Sequence, residues 1–89
     1  MANTLLSDIA AVPLGYSICK FRGKKYGVTK SVHNLGKSVK IYAEELGGED
    51  FISLNFYQTD RSDILKPCEM PEEKVLQFLR ELEISEESV

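Results

Sequence analysis

Histidine occurs once in this chain, cysteine twice and tryptophan not at all. One histidine, His33, cannot build a multi-histidine metal centre, and Cys19, Cys68 and His33 show no metal-ligand spacing. No metal or cofactor is therefore expected. Glycine-rich phosphate and dinucleotide cradles are missing, as is the Gly-x-Ser-x-Gly of serine hydrolases, so no catalytic signature is present. No apolar run approaches the roughly 20 residues of a membrane-spanning helix. The N-terminal MANTLLSDIAAVPLG has no basic n-region, and Asp8 interrupts its one apolar run, which argues against a secretory signal. Two cysteines 49 residues apart are also too few for the dense bridges of a small secreted domain. These absences predict an intracellular, cytoplasmic protein with free thiols. A plastid location stays open, although no Arg/Ser-rich transit segment is present.

Acid is missing from residues 9–42, and this absence is the most informative. The tract holds seven basic side chains, Lys20, Arg22, Lys24, Lys25, Lys30, Lys37 and Lys40. The rest of the chain holds four basic and fourteen acidic residues, giving a net charge of −3. Segregation of this kind bears on partners rather than on fold. Either the two halves attract each other within one sheet, or the basic tract meets an anionic partner.

What is present describes one small α+β domain. Eighty-nine residues, 43% of them hydrophobic, leave no room for a second core. Residues 1–14 read as a flexible arm or a short helix, residues 15–83 as the domain, and 84–89 as a frayed tail. The firmest elements lie in GKSVKIYAEELGGEDFISLNFYQT, where two alternating runs flank a Gly-Gly turn. Val39, Ile41 and Ala43, then Ile52, Leu54 and Phe56, form one apolar set of period two. Earlier strands are predicted over Tyr16–Arg22 and Tyr26–His33, and a short edge strand over Ile64–Lys66, after the turn Asp60-Arg61-Ser62-Asp63. A helix is predicted over about Pro71–Leu82, with Pro71 at its first position. Its stripe of Val75, Leu79 and Leu82, flanked by Leu76 and Phe78, must cover the inner face of the sheet. The expected architecture is an antiparallel meander of four to five strands packed by one C-terminal helix. Val28, Val39, Ile41, Ile52, Leu54, Phe56, Val75, Leu79 and Leu82 are expected to form the core.

The face turned away from that core is where function is sought. If Cys19 and Phe21 point inward, Lys20 and Arg22 point outward, to join Thr29, Ser31, His33, Lys40, Tyr42, Ser53, Asn55 and Tyr57. Cations among exposed tyrosines suit single-stranded nucleic acid, because cations track phosphates and rings stack on bases. The candidate contacts are Lys20, Arg22, Lys24, Lys25, Lys30, Lys37, Lys40, Tyr42 and Tyr57. Glu44 shares the face and would repel phosphate. The rival expectation is a protein-interaction module of unstated partner. Cys68 is a candidate thiol, since it precedes a helix N-terminus and follows Lys66, both favouring thiolate.

Two resemblances bear on these readings. The stretch GKSVKIYAEELGGEDFISLNFY, continuing to LKPCEMPEEKVLQF, resembles a family of short plant and bacterial proteins, over about residues 16–80. Some of that family are labelled peptide methionine sulfoxide reductases, which implies a thiol-dependent redox role through Cys68. That enzyme's Gly-Cys-Phe-Trp motif is absent and neither cysteine follows a glycine, so the activity is not carried over. Separately, the order of strands followed by a helix is similar to positive-cofactor-four and Whirly-like single-strand-binding domains. That similarity implies a homodimer that binds unpaired DNA across its sheets.

Overall fold

Alternation builds the centre of the sheet. In the computed structural model, which describes residues 4–59 and 62–84, strand β3 (Ser38–Glu45) pairs antiparallel with β4 (Phe51–Gln58). Val39 faces Phe56, Ile41 faces Leu54 and Ala43 faces Ile52, so the two apolar sets meet in register as one surface. All six are buried. Outside this pair lie β1 (Gly15–Phe21) and β2 (Lys24–His33) on one side, and β5 (Asp63–Pro67) on the other. A two-residue strand, Glu83–Ile84, called β6, closes the far edge beside Cys19 and Lys20. The sheet therefore runs β5-β4-β3-β2-β1-β6, antiparallel throughout.

Two helices, not one, cover the inner face. The C-terminal helix α2 (Glu72–Glu81) buries Val75, Phe78 and Leu79. The N-terminal helix α1 (Thr4–Ala11) touches α2, and Ile9 with neighbouring Val12 joins the same core. A domain boundary at residue 15 would thus cut off part of the core. The reading of residues 1–14 as a flexible arm gives way, over the described residues, to a packed helix. An isolated helix of eight residues is marginal in water, so this one depends on burial of Ile9 and on its neighbours. The tail drawn from residue 84 begins within β6; residues 85–89, like Asp60 and Arg61 of the polar turn, lie outside the described residues.

Three further placements refine the expectation. Phe78 does not flank the apolar stripe but is fully buried, its ring 5.0 Å from Phe21 and 5.5 Å from Tyr26 between centroids. The width of the stripe also suggests a homodimer whose helices pair over a partly exposed Leu76 or Phe78; Phe78 is not available for that contact. Leu82 follows α2 in extended conformation and packs against the core only partly buried. Pro71 caps the helix rather than opening it, with its carbonyl accepting from the Lys74 amide at 3.1 Å.

Candidate nucleic-acid interface

No described helix covers the other face of the sheet, and strand register orders its side chains into rows. Tyr16, Thr29, Tyr42 and Ser53 stand in line across β1 to β4, and Ile18, Gly27, Glu44 and Phe51 form the adjoining row. Lys20 and Lys25 pair at one end of the strands, Lys20 also facing Glu83. Towards the other end comes a row of Ser31, Lys40, Asn55 and Lys66, then one of His33, Ser38, Tyr57 and Ile64. Alternation also carries Tyr16 outward once Cys19 and Phe21 are fixed inside.

Rings occupy the middle of this face. Tyr42 and Phe51 lie nearly parallel, 6.3 Å between centroids and 30° between planes, on neighbouring strands. Tyr16 is 57% exposed, yet its ring lies across Gly27, where any Cβ would collide with the Tyr16 hydroxyl. Glycine at this position lets the ring lie flat against the sheet. Tyr42 and Phe51 are about 40% exposed as well. A flat face of this kind offers π surfaces to a planar ligand and ammonium groups to an anionic one.

The basic tract divides between the two faces. On the strands, Lys20, Lys25, Lys40 and Lys66 point outward, and among the described residues their side chains make no ion pair or hydrogen bond. The inward-facing lysines are all engaged. Lys24 pairs with Glu45 at 3.7 Å. Lys30 donates to the carbonyls of Ile9 and Val12 at 2.7 and 2.9 Å, closing the C-terminus of α1, and burial lowers its pKa. Arg22 turns to α2, where it donates to Glu81 at 3.1 and 3.2 Å and to Gln77 at 3.1 Å. Arg22, Lys24 and Lys30 are therefore removed from the candidate contacts. Lys37 is exposed just past the turn between β2 and β3, at the margin of the face. Tyr42 and Tyr57 keep their outward places, and Phe51, Tyr16 and Lys66 join them. Phe51 has the parity of Ser53, Asn55 and Tyr57, so extending the alternating run one residue before Ile52 places it on this face.

The remaining candidates fall at the edges. His33 is exposed at the end of β2, its Nε2 3.0 Å from Ser31 Oγ. Cys68 is half-buried on the outer side, where Asn55 Nδ2 donates to its Sγ at 3.4 Å. Cys19 is buried on the inner face, so the sheet separates the two thiols. Among the described residues no three potential metal ligands come together, and no helix is long and apolar enough to cross a membrane. No enclosed pocket forms among them.

No protein family, no curated protein and no solved structure matches this chain.

Proposed function

We propose that this chain is a small non-enzymatic module that binds single-stranded nucleic acid on the outer face of its sheet. One observation carries the reading: the strand lysines whose side chains have no partner among the described residues are those that share a face with the exposed rings. Four lysines stand there against two glutamates, Glu44 and Glu83. An open face needs polar side chains, but solubility alone does not call for an excess of cations beside exposed rings. The sorting of these lysines supports a negatively charged ligand, and Tyr16, Tyr42 and Phe51 support one with planar groups to stack. Unpaired bases expose such faces, whereas duplex bases do not.

The reading is tested by titrating a labelled mixed-sequence oligonucleotide, single-stranded and as duplex, at two salt concentrations. Single strands should bind more tightly, and affinity should fall with salt by roughly 0.7 power per phosphate neutralised. Absence of binding to any oligonucleotide at low salt overturns the proposal. The same face would then be read as a dock for an acidic segment of another protein.

A further inference from the structure

The lysines on the outer face are not scattered among the rings but stand in two groups towards opposite ends of the strands, diagonally placed and called corners below. Lys20 and Lys25 lie on β1 and β2 towards one end of the strands. Lys40 and Lys66 lie on β3 and β5 towards the other, in register with Ser31 of β2. Between the corners run the two rows that hold Tyr16, Tyr42 and Phe51, and the acid Glu44 is among them, beside Phe51. A phosphate laid over that band would meet a carboxylate and no cation; a neutral base would meet rings. The charges therefore separate the face into a base-stacking band that holds one acid and two corners of net positive charge, one of them with Glu83 facing Lys20.

We infer that a single strand crosses this face on the diagonal, its phosphates held at the Lys20–Lys25 and Lys40–Lys66 corners and its bases stacked on the band between them. This rests on the proposed binding of single strands and adds where and how much of the strand is held. From Lys25 to Lys66 the path covers three strand spacings of about 4.8 Å and six residues of about 3.4 Å rise, a diagonal of about 25 Å. That span corresponds to about four to five nucleotides, the short end of the site sizes of about 4–16 found on other single-strand-binding folds. Tyr42 and Phe51, side by side on neighbouring strands, are placed to receive consecutive bases.

A length series of labelled oligodeoxycytidylates, with an abasic chain as control, tests the crossing. Affinity should climb steeply up to about five nucleotides and then rise only with the number of equivalent positions on a longer chain. The abasic chain of about ten residues should bind at least about tenfold more weakly than its base-bearing equivalent. Tyr42→Ala should lower affinity roughly five- to a hundredfold with an unchanged salt slope. Lys25→Gln and Lys66→Gln should each reduce the slope by about 0.7, and only for chains long enough to reach both corners. A trinucleotide binding as tightly as a decamer, or an abasic chain equal to the normal one, would overturn the diagonal crossing while leaving single-strand binding in place. Failure of every oligonucleotide to bind would remove the underlying reading as well.

Discussion

Leu35 is fully exposed and has a φ of +57°, between Asn34 at +54° and Gly36 at +89°. Three successive residues in the left-handed region turn the chain from β2 into β3 within a few residues. Asn and Gly accept that conformation readily, but leucine clashes with its own backbone there. No packing offsets the strain, because the side chain is in solvent. Leu35→Gly should therefore stabilise the fold by about 0.5 kcal/mol, the relieved strain of roughly 1 kcal/mol less the added freedom of the unfolded chain. Urea denaturation checks this through a higher midpoint at constant slope. A lower midpoint would mean that the side chain has a partner in solution. Arg22 is a contrasting case. It occupies the first central position of a two-residue turn with Gly23, at φ +53°, where Asn is ordinarily preferred. Here the strained residue is engaged, since from this turn the guanidinium reaches both Gln77 and Glu81.

At the scale of elements, α2 is fixed at both ends and in the middle. Lys74 near its start donates to Asp50 at 2.6 Å, and Asp50 accepts from the Tyr26 hydroxyl at 2.8 Å. Glu81 and Gln77 meet Arg22 near its end. Between them Phe78 fills the space bounded by Phe21 and Tyr26. Phe78→Ala should cost about 3–5 kcal/mol, transfer plus cavity, because two aromatic rings cannot collapse into the space left. That is a large share of the stability of any domain this small. A loss under about 1 kcal/mol, measured by urea denaturation, would show that the ring is not packed as described. The central strands were legible because period two is a local property, visible in Val39 to Ala43 and Ile52 to Phe56. The face taken by Lys24 and Lys30 was legible too, since both share the parity of Tyr26 and Val28. Alternate residues reveal it, whereas the basic tract taken as one block does not. By contrast, α1 and β6 exist through contacts with distant residues: Ile9 against the core, Lys30 at the helix end, and Ile84 opposite Cys19. The spacing of Leu5, Leu6, Ile9 and Val12 allows a short helix as well as an arm, and only the distant contacts decide for the helix, whereas nothing in Glu83–Ile84 distinguishes β6 from a tail.

For the molecule as a whole, the polar groups that join sheet to helices set how stability depends on pH. Asp50 has its pKa lowered, chiefly by the hydrogen bond from Lys74 and further by that from Tyr26. A lowered carboxyl pKa contributes stability above the unfolded value, lost as pH falls through the folded one. Asp50 is partly solvated, so this acid limb should be shallow. The alkaline limb is steeper. Burial first, then the hydrogen bond to Asp50, pushes Tyr26 up to about 12. The unfolded phenol titrates near 10, so between about pH 10 and 12 the unfolded state releases its proton first and stability falls, by roughly 2–3 kcal/mol over the window. Lys30 acts in the opposite sense, since burial lowers its pKa and the folded state gives up that proton more readily. Its ammonium still donates to two carbonyls in the charged form, so its contribution should be the smaller of the two. Urea titrations of the wild-type chain and of Tyr26→Phe at pH 8, 10 and 12 separate these effects from the general rise in negative charge, which both proteins share. Tyr26→Phe should be less stable at pH 8, because Asp50 loses a donor, and should lose less stability than wild type between about pH 10 and 12. Parallel alkaline limbs in the two proteins would show that the Tyr26 hydroxyl is hydrated rather than sealed between sheet and helix.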